Sequence, residues 1–260
     1  MTIKQPNLAD LETLAREAGA ILREGYGKVH KLERKGVIDL LTEVDKRAEE
    51  FLLHKIEARF PGGRAVAEEG GRLQGNQGGM WYVDPIDGTM NYTHGLPIFC
   101  VSIAYEFGNT MQLGAVYNPI YEEMYLAELV NGATLNGEPI HVSETSELVD
   151  SLLVTGFPYD AWTNPDNNLA EFTRFSQQTQ GVRRLGSAAL DLCYVAAGWL
   201  DGFWEKRLNA WDVAAGALIA QEAGAKVTNL QGKRDFIAPP HSILAANPRL
   251  HGKMLAVLQE

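Results

Sequence analysis

The sequence predicts a mixed α/β fold, and three observations predict it. Two amphipathic helical patterns fill the first sixty residues, a series of short β-prone runs follows between residues 64 and 129, and the remainder alternates apolar helical and strand-like segments. Helices, then a sheet, then helices and strands together call for stacked layers around a core. A chain of 260 residues with 45% hydrophobic content has ample material for one.

Taken in order, Leu8, Leu11, Leu14, Ala15, Ala18, Ile21 and Leu22 recur at helical spacing behind Asn7, a capping residue, so a helix is expected over 8–25, ending near Gly25 and Gly27. A second helix is expected over 43–60, where Val44, Ala48, Phe51, Leu52, Ile56 and Phe60 share a face and PGG at 61–63 stops the chain. The runs RAVAEE, MWYVDP, IFCVSIAYEF, MQLGAVYNP and EMYLAEL are separated by Gly, Pro and Asn and read as strands of one sheet. Beyond them, helices are expected near 168–178, 187–197, 211–223 and 248–258, with strands near 151–155, 201–206 and 242–246. FPYDAWTNPDNN, over 157–168, is the one linker-like stretch and reads equally well as a surface loop.

Composition narrows the partners. A net charge of -10 opposes approach to a nucleic-acid backbone or an anionic membrane, although a small anion could bind where a metal supplies positive charge. No segment approaches the roughly 20 apolar residues of a membrane span, and MTIKQPNLAD lacks a leader pattern, so a soluble, cytoplasmic protein is expected. Cys100 and Cys193 lie in apolar runs and read as reduced core residues. The six histidines form no paired metal motif, which speaks against zinc, and His94 is expected to pack.

The most informative stretch is WYVDPIDGTMNY, residues 81–92. Pro85 ends ladder pairing after Asp84, Gly88 permits a tight or positive-φ turn, and Thr89 can start a helix whose free N–H groups face the same space as Asp84 and Asp87. Carboxylates so close repel unless one is protonated or a cation lies between them, and hard oxygen ligands suit Mg²⁺. A divalent cation on one side and a helix start on the other would suit a phosphate group. D-P-x-D-G is also ordinary turn chemistry. Glu68 and Glu69 end another strand-like run and read either as a further carboxylate at this edge or as a solvated turn, while Asp212, Thr42 and Asp45 sit at helix starts, where capping alone would place them.

The order of these motifs resembles the inositol monophosphatase family of Mg²⁺-dependent, lithium-sensitive phosphatases. TEVD (42–45), AEEG (67–70), DPIDGTMNYTHGLPIFCVSIA (84–104), RRLGSAALDL (183–192) and WDVAAGALIAQEAG (211–224) occur in the family's order and cover most of the chain. The resemblance implies a layered α-β-α-β-α sandwich: a single domain over 1–260 whose two sub-halves, about 1–150 and 151–260, share one active site. It implies that Glu68, Asp84 and the Ile86 carbonyl hold a first metal and that Asp84, Asp87 and Asp212 hold a second, with two or three Mg²⁺ in all. By the same resemblance Thr89 and Glu68 position the attacking water, Asp45 orients water near the site, and the amides of Gly88 and Thr89 receive the phosphate. Gly186, Ser187, Ala188 and Glu205 match substrate contacts, Lys35 matches a basic residue near the third metal, and a homodimer is implied. The chain departs from the common pattern at Ala67 and Ala225, where relatives often carry glycine.

The reaction implied is metal-assisted hydrolysis of a phosphate monoester, with inositol 1-phosphate the leading substrate. Lys206 and Arg207 beside Glu205 would welcome a second phosphate, as in fructose 1,6-bisphosphate or a nucleotide, or else form a plain basic surface pair. NADP and histidinol phosphate are substrates of relatives, and some bacterial relatives act as regulatory binding proteins of transcription or RNA machinery.

Overall fold

A computed structural model describes residues 4–28, 32–34, 40–75, 78–239 and 241–260. Its elements run α1 (Leu8–Gly25), β1 (Leu32–Arg34), β2 (Leu40–Thr42), α2 (Glu43–Arg59), β3 (Arg64–Ala67), β4 (Arg72–Gln74), β5 (Met80–Asp87) and α3 (Thr89–His94). There follow β6 (Cys100–Phe107), β7 (Thr110–Asn118), β8 (Glu123–Glu128), β9 (Gly132–Leu135), β10 (Glu138–Pro139) and a 3₁₀ turn at Leu148–Asp150. The last part holds β11 (Leu152–Thr155), α4 (Leu169–Ser176), β12 (Gly181–Arg183), α5 (Ala188–Ala196), β13 (Gly202–Lys206), α6 (Ala210–Glu222), β14 (Lys226–Thr228), β15 (Ser242–Ala246) and α7 (Pro248–Leu258).

Local chemistry explains the boundaries of the first helices. Asn7 Oδ1 accepts from the Asp10 amide at 3.0 Å and Asp10 Oδ2 accepts from the Asn7 amide at 3.1 Å, a reciprocal cap that starts α1 where the sequence placed it. Thr42 and Asp45 make the same box at the start of α2. The buried side of α1, Leu11, Leu14, Ala15, Ala18 and Leu22, packs with Val44, Ala48, Leu52 and Ile56 of α2 over one face of the larger sheet. Each of those leucines is fully buried, which contributes about 1.5–3 kcal/mol apiece.

The layers follow from which faces are apolar. The larger sheet has the order β10-β9-β8-β7-β6-β5-β3-β4, and the smaller one β12-β11-β13-β15-β14. Between them lie α5 and α6, which are apolar nearly all round, as buried helices must be. They approach closely because Gly216 has no side chain: a Cβ there would stand 2.8 Å from Leu192 Cβ. Phe175 of α4 and Leu250, Met254 and Val257 of α7 cover the far face of the smaller sheet, against Leu153, Trp204 and Leu244. The result is the five-layer α-β-α-β-α sandwich.

Both cysteines are free and buried within the central layer's core. Among the described residues no helix is long and apolar enough to cross a membrane. The 157–168 stretch is a surface loop, tied down where the buried Asn168 accepts from Trp204 Nε1 at 2.7 Å and donates to Thr155 Oγ1 at 2.8 Å.

Candidate active site

β5 supplies the first two carboxylates and breaks its own ladder to do so. It pairs with β6 through Asp84↔Ser102 and again through Asp87↔Cys100, so three steps on β5 span two on β6. Pro85 lies in that bulge, where its missing N–H removes a ladder bond. Asp84 is turned inward at 1% exposure, and its Oδ1 accepts from the Ile86 amide at 3.0 Å. Gly88 then adopts φ 97°, which non-glycine residues rarely adopt, and α3 begins at Thr89.

Glu68 arrives from the parallel neighbour β3, one residue beyond its end, with its amide donating to the Val83 carbonyl at 3.2 Å. The turn behind it is held from a distance: Glu49 of α2 accepts from the amides of Glu69 (2.7 Å) and Gly71 (2.9 Å). A Cβ on Gly71 would fall 2.5 Å from that carboxylate, so the close approach needs glycine. Nothing in the spacing of the sequence singles out Glu49, because its partners are backbone groups twenty residues away.

Asp87 joins the two halves. Ser187 Oγ and the Ala189 amide each donate to its Oδ2 at 2.7 Å, and the Ala188 amide donates to Oδ1 at 3.3 Å, so a carboxylate from the larger sheet caps α5. Asp212, in the first turn of α6, accepts from the Asn209 amide at 2.6 Å. Thr89 is bound to Asp45 of α2: its Oγ1 stands 3.0 Å from Asp45 Oδ1 and 3.0 Å from the Ile86 carbonyl oxygen. The other oxygen of the fully buried Asp45 is held by the Thr42 amide at 2.8 Å, which fixes the carboxylate's direction.

These groups surround one cavity of about 120 Å³, lined by Glu68, Asp84, Ile86, Asp87, Gly88, Thr89, Gly186, Ser187, Ala188, Glu205 and Asp212. Burial raises the Asp84 carboxyl well above its usual range, and the charges of Glu68, Asp87 and Asp212 raise it further. Burial also raises Asp87, against the lowering pull of its donors on α5, and raises Asp212 with help from Glu68. Four acids crowded into so little space are mutually destabilising unless a cation or protons offset their charge.

Among the described residues, no three Asp, Glu, His or Cys side chains already form a closed metal cage. The fit to a metal rests instead on donor chemistry: four mutually repelling carboxylates, with the Ile86 carbonyl beside them and no sulfur or imidazole among them, suit a hard cation such as Mg²⁺. Glu205 is pushed up to about 8 by burial, with the charge of Asp87 adding, and its carboxylate accepts no hydrogen bond from the described residues.

The inositol monophosphatase family model matches residues 4–260. The chain belongs to this family. An inositol-1-monophosphatase of Synechocystis sp. is 44% identical over 93% of this chain and 84% of its own length. A Nus factor SuhB of Pseudomonas aeruginosa is 38% identical over 98% and 96%. Among solved structures, an extragenic suppressor protein SuhB of Bartonella henselae superposes with a TM-score of 0.90 at 35% identity, covering 96% of this chain and 97% of that one. The inositol monophosphatase of Anabaena gives 0.86 at 42% identity, covering 98% and 97%.

Beside the motifs of the inositol monophosphatase family, the cavity brings in residues that sequence reasoning passed over: Gly156, Phe157, Pro158 and Tyr159 of the loop after β11, Arg184, Asp191, and Leu208 and Asn209 just before α6. Arg184 and Asp191 lie inside RRLGSAALDL, but their directions depend on packing, which spacing does not show. Lys206 is outside this lining and already paired with Asp166 (2.7 Å) and Glu171 (2.8 Å). Arg207 reaches the cavity with its guanidinium on Asp160 at 2.5 Å. Lys35 lies outside the described residues. His94 is exposed at the end of α3, contrary to the expectation that it packs, because Gly95 turns the chain outward with φ 74°.

Proposed function

We propose that the protein hydrolyses inositol 1-phosphate to inositol and phosphate in a Mg²⁺-dependent reaction. The observation that carries this reading is the convergence of Glu68, Asp84, Asp87 and Asp212 on one cavity whose wall includes Thr89, itself bonded to Asp45 behind it. Two of the relatives bear the name inositol-1-monophosphatase or inositol monophosphatase. We assign Glu68, Asp84 and the Ile86 carbonyl to one ion and Asp84, Asp87 and Asp212 to a second.

Bound Mg²⁺ supplies Lewis-acid polarisation and neutralises charge on the phosphate and leaving oxygen. The protein's own part is to place and orient the water. Where the Ile86 carbonyl is given to a cation, the Thr89 proton turns to Asp45 Oδ1, leaving Thr89 Oγ1 as an acceptor for a proton of the attacking water. Glu68 holds the other side of that water. The amides of Gly88 and Thr89 bind the phosphate at the start of α3, and Gly186, Ser187 and Ala188 bound the alcohol side. Glu205 binds substrate hydroxyls, for which its unpartnered carboxylate is suited. No phosphoenzyme is required, since positioning and preorganised charge carry the rate.

A monophosphate is favoured over a bisphosphate because Lys206 and Arg207 already have carboxylate partners. The same pairing disfavours the fructose 1,6-bisphosphate and NADP alternatives. Rates on inositol 1-phosphate, fructose 1,6-bisphosphate, NADP and histidinol phosphate test this order, and a dominant rate on either bisphosphate-type substrate would reverse it. Assembly as a homodimer in the cytoplasm accords with the family resemblance; sedimentation at working concentration tests the dimer.

A further inference from the structure

We infer that Asp191 binds a second hydroxyl of the substrate's polyol beside Glu205 and so sets selectivity for polyhydroxy alcohols; this rests on the phosphatase reading above. Asp191 sits in AALDLCYVA, a helix buried on nearly every face, where an acid has no reason to be unless something engages it. It is 1% exposed, its Oδ1 is sealed from solvent, and neither carboxyl oxygen has a hydrogen-bond partner among the described residues. A buried polar group left in that state is costly to the fold and marks a place for a ligand.

The usual explanation for a first-turn acid does not apply. The free amides at the start of α5 are already used: those of Ala188 and Ala189 donate to Asp87, and that of Leu190 donates to Ser187 Oγ. The Arg184 guanidinium influences Asp191 electrostatically but forms no ion pair with it among the described residues. What Asp191 does face is the cavity, whose wall it shares with Glu205. Glu205 lies against Gly156, where a Cβ would stand 2.2 Å from its carboxylate, so the space it occupies depends on that glycine, and it is equally unpartnered. Two unpartnered carboxyl groups on one small wall match an alcohol carrying at least two hydroxyls, and offer nothing to an aryl or simple alkyl ester.

The experiment compares Asp191→Leu, which keeps the volume and removes the polar group, with Asp191→Asn, which keeps a hydrogen-bonding amide. Both are assayed on inositol 1-phosphate and on phenyl phosphate, whose alcohol has no further hydroxyl. Asp191→Leu is expected to lower the ratio of kcat/KM for inositol 1-phosphate over phenyl phosphate about tenfold, the loss of one hydrogen bond to a carboxylate. The change should fall mainly in KM, and Asp191→Asn should recover part of it. An unchanged ratio in a folded Asp191→Leu protein, or equal losses on both esters, overturns the inference while leaving the phosphatase reading standing. A wild-type protein idle on both esters overturns the phosphatase reading itself, and this inference with it.

Discussion

At the scale of single residues, the site is a store of electrostatic repulsion waiting for a cation. Asp84 is buried beside three other acids, and burial together with the charges of Glu68, Asp87 and Asp212 holds its carboxyl well above the usual range. Asp84→Asn should therefore melt no lower than the wild type without metal, since it removes one of the crowded charges. The wild type should gain stability with Mg²⁺, about 2.7 kcal/mol at a hundredfold excess over Kd, and the variant should lose most of that gain. Calorimetric melts with and without Mg²⁺ decide it, and an undiminished Mg²⁺ shift in Asp84→Asn would remove this residue from the metal centre. Residues of this kind were legible in the sequence because D-P-I-D-G-T places them by local turn chemistry. Glu49 and Asp191 were not, because what distinguishes them is a partner, or the lack of one, made only by packing.

At the scale of elements, capped helices were the most readable parts. α1 and α7 match the expected bounds to the residue, since Asn7, Asn247 and the following proline mark their starts chemically. The short strands β1, β2, β4, β9, β12 and β14 were not anticipated: segments of three or four residues carry too little alternation to signal themselves and take strand form from the neighbour they pair with. The docking of α7 also carries a pH dependence. His251 is fully buried, its Nε2 pairs with Thr228 Oγ1 at 2.9 Å while Nδ1 has no partner, and burial, with Lys226 adding, pushes it down to about 4. Its folded value lies below the unfolded value near 6.5, so the unfolded chain binds the proton more readily. The contribution is present above pH 6.5 and lost as pH falls towards 4, amounting to about 3 kcal/mol there. Denaturant titrations of wild type and His251→Gln should converge by about that amount over this range. Parallel stability curves would contradict the assignment.

At the scale of the whole molecule, one apolar cluster and one cavity draw residues from both parts of the chain. One apolar cluster runs from Ala104 and Val116 of the larger sheet through α5 and α6 to Phe203 and Ala245 of the smaller one, and Asp87 ties the larger sheet to α5. We therefore expect one cooperative unfolding transition for the full chain, with calorimetric and van't Hoff enthalpies equal; two separated transitions would show two domains. The order of layers was legible only through family resemblance, because helix and strand patterns name the elements without fixing which faces meet. The central claim is that this acidic cavity is a Mg²⁺-dependent phosphatase site for inositol 1-phosphate. Its most direct test is phosphate release from inositol 1-phosphate across a Mg²⁺ titration, with Asp84→Asn alongside. The expected result is saturable turnover that vanishes without Mg²⁺ and falls by at least about 10²–10³-fold in the variant. Turnover indifferent to Mg²⁺, or retained by Asp84→Asn, would contradict the account.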